Sequence, residues 1–320
     1  MWRWMALIIF VGLGIAAGGT YLAYSRDMRA TRDRLVAGSR VVQTRQGPLE
    51  YTAWGEGPPV LAVHGAGGGY DQGVLLARTF GGGEFRWIVP SRFGYLRTPR
   101  PADPSTAAQA DAFAELLDTL GIERVALLAM SGGVPPSIQF ASRHPERTSA
   151  LVLLSSAPYT PLTVADQKLP VPIWLYHALF SSDFPYWVLR KVARTRLESM
   201  FDVSPALRAA LTPEERIMVS GMVDTFQPVT RRIDGIRNEG AAIDPRASYA
   251  LSEIHSPALV VHAADDHINA FSVGAYTAAH IRSSQFLALE TGGHLLLGHH
   301  AEVRAKAGAF LRQHATGTDR

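Results

Sequence analysis

LLAMSGG, residues Leu127–Gly133, closes an apolar run and opens onto a helix of small residues. A serine between a buried strand and a helix is held on a sharp turn, with Oγ projecting over the carboxyl ends of the strands. Small residues are needed two before and two after it, because the turn brings the two backbones together. Gly133 meets that need and Gly132 adds slack, but Ala129 stands where the usual G-x-S-x-G pattern has glycine. Ser-Gly-Gly turns are common, so Ser131 is a candidate nucleophile only if its surroundings agree.

The surroundings are a series of short apolar runs. VLAVHG (60–65), RWIVPS (86–91), RVALLAM (124–130), SALVLLSS (149–156), PALVVHA (257–263) and QFLALE (285–290) read as strands buried on both faces of a parallel sheet. VVQTRQ (41–46) and LEYTAWG (49–55) alternate more and flank Gly47-Pro48, as an antiparallel hairpin at a sheet edge would. Between the runs, DPSTAAQADAFAELLDTLG places Ala110, Phe113, Leu116, Leu117 and Leu120 at helical spacing, with Gly121 as its stop. VPPSIQFASRHP and AEVRAKAGAFLRQH are helical too, the prolines of the first falling in its opening turns. This alternation predicts a doubly wound, mostly parallel α/β sheet.

One segment breaks it. From 159 to 250 there are helical patterns but no convincing strand, and PIWLYHALFSSDFPYWVL is crowded with Trp174, Tyr176, Phe180, Phe184, Tyr186 and Trp187. It reads as a helical insertion, either with its own aromatic core or as a lid whose apolar underside lines a substrate pocket. The core then comprises 41–158 and 251–320.

Composition limits the chemistry. A hydrophobic fraction of 47% and a charged fraction of 18% belong to a globular chain. A net charge of +3, spread rather than clustered, does not make the basic stripe that nucleic acid requires. With no cysteine there are no disulfides, thiolate metal sites or cysteine nucleophiles.

Trp4 to Tyr24 carries no charge. As a helix it would span roughly 31 Å, matching a hydrocarbon core of about 30 Å. Trp2, Trp4, Tyr21 and Tyr24 fall at its ends, where aromatic residues sit at membrane interfaces. Residues 1–25 are therefore expected to be a transmembrane anchor, with 26–40 as an Arg-rich connector. The rival is a cleaved signal peptide with a small-residue site near Ala16 to Gly19. Arg26, Arg29, Arg32 and Arg34 outnumber Arg3, which leans the catalytic domain toward the cytoplasm.

The other chemical groups follow strand ends. HGAGGGYDQG (64–73) has neither phosphate-binding motif nor nearby lysine. It is better read as a loop whose Ala66 N–H, together with Gly132 N–H, holds an oxyanion; His64 braces it. HAADDHINAF offers Asp266 as the acid, with Asp265 as the fallback. TGGHLLLGHH offers His294 as the base, Gly292-Gly293 letting its ring swing inward. Ser, Asp, His in that order, each just past a strand, is far more specific than any one of them.

From about 40 to 314 the chain thus resembles the α/β-hydrolase fold family, through HGAGG, SRFGY (91–95), AMSGG, ADD and GGH. Its insertion, including PVTRRIDGIRNE (228–239), corresponds to that family's helical cap. The sequence departs from the family at Ala129, at Ala263 before the acid, and at Ser91, where many members carry Asp. The resemblance implies a serine hydrolase that needs neither cofactor nor metal and cleaves an apolar ester or related acyl compound. Carbon–carbon hydrolysis, amide or peptide hydrolysis and perhydrolysis use the same triad, and a non-catalytic binding protein could keep the scaffold.

Overall fold

Four of the apolar runs form strands in which every residue is buried: β3 (Pro59–Val63), β5 (Val125–Met130), β6 (Thr148–Leu154) and β7 (Ala258–Ala263). Residues 2–157, 181–239 and 249–315 are described by the computed structural model of the chain. With β1 (Arg40–Thr44), β2 (Gly47–Trp54), β4 (Arg86–Pro90) and β8 (Ser284–Leu289), these strands build one eight-stranded sheet in the order β1-β2-β4-β3-β5-β6-β7-β8. β1 and β2 pair antiparallel, as do β2 and β4; every other pair is parallel. Two apolar clusters lie on the two faces, which is why the central strands lack polar alternation.

Two readings of the strands change. β8 leaves Gln285, Phe286 and Ala288 exposed, because the last strand has a neighbour only in β7 and little cover on one face. The hairpin turns at Arg45-Gln46 rather than Gly47-Pro48, since Thr44 pairs with Gly47 and Pro48 with Gln43. Thr44 Oγ1 accepts from Gln46 N–H and donates to Gly47 O, closing that turn. Pro48 is tolerated because β4 pairs with β2 only over Tyr51–Trp54, so Pro48 has a strand neighbour on one side alone.

The core helices are α2 (Tyr70–Leu76), α3 (Thr106–Thr119) and α4 (Val134–Arg143), followed after β7 by helices given below. Ser105 caps α3 by accepting from Ala108 N–H, and α3 buries Ala110, Phe113, Leu116 and Leu117. Between β6 and β7 the described residues hold no strand. They form α5 (Asp183–Val192), α6 (Arg194–Ser199), α7 (Pro205–Ala210), α8 (Pro213–Asp224) and α9 (Ile233–Asn238). Trp174, Tyr176 and Phe180 lie outside the described residues. α10 (Phe271–His280) and α11 (His300–His314) complete the core.

The inserted helices join the face of the sheet that carries β3, β5 and β6 side chains such as Val60, Leu128 and Val152. Arg232, fully buried beside α9, clamps the insert to α2 through Asp71 at 2.8 Å. Breaking one side of a buried pair of this kind costs about 3–5 kcal/mol.

At the N-terminus, α1 runs unbroken from Trp2 to Ala37. Residues 26–40, read above as a connector, are therefore helical as far as Ala37. An apolar window in its first half has mean hydropathy 2.0 and no buried residue. Its second half docks: Met28 and Leu35 are buried, Tyr70 donates to Leu35 O, and Tyr24 packs edge-on against Phe184 and Trp187. Tyr24, Met28 and Leu35 lie on one helical face, and that docked stripe is what continues the helix past the charges.

Candidate active site

β5 ends at Met130, and Ser131 follows with φ of +53° at the head of a helical turn into α4. A left-handed backbone costs a non-glycine residue about 1–2 kcal/mol, so it persists only where the fold enforces it. The enforcement is at Gly133, where a Cβ would lie 2.4 Å from Val63 O and 2.7 Å from His64 O. Ala129 is fully buried and fits without a glycine.

Past β8, Gly292 and Gly293 have φ of +128° and +56° and turn the chain so that His294 is buried. Its Nδ1 lies 2.9 Å from Asp266 Oδ2. Asp266 stands just past β7, its other oxygen accepting from Ile268 and Asn269 N–H at 2.9 Å each. Of the two adjacent carboxylates, Asp265 instead accepts from Gly292 and Gly293 N–H and steadies the loop. Ser131 and His294 line one pocket. The family model for the alpha/beta hydrolase fold matches residues 58–301.

The chain belongs to the alpha/beta hydrolase fold family. It is 30% identical over 283 residues to the uncharacterized hydrolase YcgS of Bacillus subtilis, covering 83% of this chain and 94% of that one. An alpha/beta hydrolase fold protein from Nakamurella multipartita superimposes with a TM-score of 0.73 at 27% identity, covering 86% of this chain and 99% of that one. A 2-hydroxy-6-oxononadienedioate/2-hydroxy-6-oxononatrienedioate hydrolase of Pseudomonas putida is 25% identical, covering 82% and 92% respectively.

In this hydrolase the electrostatics of the pair are set by opposing effects. Burial alone would raise the Asp266 carboxyl, but the His294 charge and hydrogen bonds from His262, His294 and Asn269 hold it well below the usual carboxylate range. Burial would likewise lower His294, yet the Asp266 charge and hydrogen bond, with Asp202 behind them, bring it above its ordinary 6.5. Because Nδ1 donates to the carboxylate, Nε2 is the basic nitrogen of the neutral ring.

No hydrogen bond joins Ser131 to His294. Ser131 Oγ instead accepts from Asn269 Nδ2 at 3.3 Å, and that amide also donates to Ser155 O at 2.9 Å. Ser155 in turn donates to His294 O. Resting sites are commonly looser than the complexes in which they react.

Ala66 lies in the pocket wall, and its N–H has no protein partner among the described residues. Gly132 N–H is in the first turn of a helical segment, where no intrahelical acceptor exists. Gln72 Oε1 accepts from Gly65 N–H and Tyr95 OH from Gly67 N–H, fixing the loop on both sides. His64 is fully buried: Nε2 accepts from Arg92 N–H, so Nδ1 carries the proton and donates to Gly65 O. Burial first, then Arg92, hold that ring well below 6.5 and neutral, in keeping with a brace.

The pocket encloses about 180 Å³ and its walls are mostly apolar. The insert supplies Tyr186, Leu197, Met200, Phe201, Met222 and Phe226. Among the described residues no cluster of three or more His, Cys, Asp or Glu side chains is arranged for a metal ion.

Several site residues have no signature in the sequence. Asn269 lies three residues past Asp266 and touches both Asp266 and Ser131. His262 Nε2 lies 3.3 Å from Asp266 Oδ2, a second imidazole on the same carboxylate. Asp202, from the insert, accepts from His294 N–H at 3.1 Å and from His267 N–H at 3.0 Å. Glu50 from β2 holds Ser91, whose Oγ donates to it at 2.8 Å, and Ser39 and Arg97 donate to the same carboxylate.

Proposed function

We propose that this hydrolase cleaves an apolar ester through an acyl-enzyme on Ser131. Its support is the placement of Ser131 and His294 in a single apolar pocket, with Asp266 on the far side of the imidazole. Ser131 Oγ, still accepting from Asn269, attacks the carbonyl carbon while His294 Nε2 takes the proton. Asp266 stabilises the imidazolium and stays ionised. The Ala66 and Gly132 N–H groups receive the oxyanion, each such donor being worth roughly 3–4 kcal/mol in the transition state. His294 then returns its proton to the leaving alcohol, and water activated by the same nitrogen releases the acid. The insert is the cap that closes this pocket, and α1 is the anchor that holds the enzyme to a membrane, with its arginines toward the cytoplasm.

Carbon–carbon hydrolysis is the second reading, favoured by the similarity to the Pseudomonas putida enzyme. Against it stands the charge of the walls. A dicarboxylate asks for cations, and among the described residues no Arg or Lys lines the pocket. The neighbouring guanidiniums of Arg92 and Arg232 are already paired with Glu239 and Asp71.

A fluorophosphonate probe tests the reading: it should label the wild type and not Ser131→Ala. Acyl esters of graded length should be turned over by the wild type alone. Labelling that survives the substitution sinks the nucleophile. Labelling without ester turnover, but with turnover of a 2-hydroxy-6-oxo-dienoate, moves the assignment to carbon–carbon cleavage.

A further inference from the structure

α5 has two working faces. On one, Tyr186 lines the catalytic pocket, stacks on Phe226 and donates to Val223 O at 2.8 Å. On the other, Phe184, Trp187 and Lys191, at helical spacing, meet α1. The Phe184 ring lies 5.2 Å from Tyr24, and Asp27 Oδ2 takes both Trp187 Nε1–H and Lys191 Nζ at 3.0 Å. One turn further along α1, Arg32 reaches Asp183. The cap is thus tied directly to the helix whose first half is the apolar segment.

The height of this junction is set by α1. Ala17, Thr20, Tyr21, Tyr24 and Phe184 line one notch. Phe184 therefore touches the stretch that ends the uncharged segment, within about 10 Å of helix rise from Ala17 to Tyr24. Its side chain remains 40% exposed, and Val192 at the other end of α5 is 75% exposed. Arg26 and Arg29, two and five residues past Tyr24, are exposed and make no ion pair among the described residues. An apolar tip level with terminal tyrosines, above free guanidiniums, matches the layering of a bilayer surface: acyl chains, then phosphates.

We propose that α5 is a membrane-contacting element, with Phe184 in the headgroup layer of the bilayer that α1 crosses and Arg26 and Arg29 against lipid phosphates. The wall of the Ser131 pocket is then the back of a helix lying on the membrane, and the enzyme takes an apolar substrate dissolved in that bilayer. This rests on reading α1 as a membrane span, and the experiment separates the two.

The chain has no cysteine, so single-cysteine variants of the full-length protein can be spin-labelled without background. Phe10→Cys reports the span, Phe184→Cys the cap tip, and Arg40→Cys a point past the end of α1, which rises about 20 Å from Tyr24 to Ala37. Each is placed in vesicles of phosphatidylcholine and phosphatidylglycerol. Its collisions with oxygen, which concentrates in lipid, are compared with those of a water-soluble nickel chelate. Shielding by protein lowers both, whereas lipid raises oxygen relative to nickel. The proposal expects an oxygen-to-nickel ratio at Phe184 several-fold above that at Arg40 and below that at Phe10. A ratio at Phe184 equal to that at Arg40, with Phe10 buried in lipid, overturns the proposal and leaves the anchor standing. A nickel-accessible Phe10 overturns both. On the substrate side, Phe184→Asp should raise KM for a vesicle-borne ester several-fold and leave a water-soluble short ester unaffected. Equal effects on the two substrates would also overturn the proposal.

Discussion

Asn269 and Ser131 are joined by a hydrogen bond of 3.3 Å from the Asn269 side-chain amide to the Ser131 hydroxyl oxygen. The backbone N–H of the same asparagine donates to Asp266. One residue thus holds both Asp266 and Ser131, the proposed acid and nucleophile. A donor on Oγ also stabilises the negative charge that grows there as the proton leaves. Asn269→Ala should lower kcat roughly tenfold while KM changes little, the value of about one charge-assisted hydrogen bond. Steady-state kinetics on a short ester measure this, and an unchanged kcat would remove Asn269 from the mechanism.

In the proposed mechanism the neutral imidazole of His294 is the active form, and its pKa is raised above 6.5. The rising limb of kcat/KM against pH should therefore have its midpoint above 6.5, not below it. Asp202 is among the groups that raise it, so Asp202→Asn should move the midpoint to lower pH. An unmoved limb would show that Asp202 acts only on the backbone. Stability has the opposite sign: the His294 contribution is full below 6.5 and is lost as pH rises through the folded value. That of Asp266, whose pKa is lowered, is present above the ordinary 3.8 and is lost only in strong acid.

Gly133→Ala should be harmful where Ala129→Gly is mild. The added methyl at 133 meets two backbone carbonyl oxygens that cannot rotate away. A cost of about 2 kcal/mol would lower Tm by roughly 5 °C. Ala129→Gly loses about 1 kcal/mol of strand stability and keeps its activity. Thermal unfolding and ester turnover of the two variants separate these outcomes.

Phe226 lines the pocket and also packs against Gly67 in the loop that follows β3. Phe226→Ala should enlarge the acyl site and shift kcat/KM toward longer chains by about tenfold relative to short ones. A uniform fall across chain lengths would mean that the ring serves the loop rather than the acyl group.

An anchor and a cleaved leader differ in mass. The mature protein should retain residues 1–25, and intact mass spectrometry of the membrane fraction reads this directly. A chain beginning near Ala17 to Gly19 would identify a signal peptide.

The strands were legible because an apolar run of about six residues between turn signals has few alternatives. Ser131, Asp266 and His294 were legible for a related reason. A parallel sheet puts the carboxyl ends of its strands along one edge, so residues that follow different strands are brought together. β8 was misjudged because its run resembles the buried ones, and only its place in the strand order exposes it. The second half of α1 was hidden by its arginines, since the docked stripe of Tyr24, Met28 and Leu35 has meaning only against α5 and α2.

The sequence by itself determined the layering, the order of the chemical groups and the apolar character of the first 25 residues, all of which follow from local patterns of hydrophobicity and turn residues. Tertiary structure decided which of Asp265 and Asp266 meets His294, that Glu50 serves Ser91, and that Asp202 and Asn269 belong to the site at all. These pairs are separated by 28, 41, 92 and 138 residues along the chain. No local pattern encodes such contacts, because they exist only once the sheet and the insert have packed together.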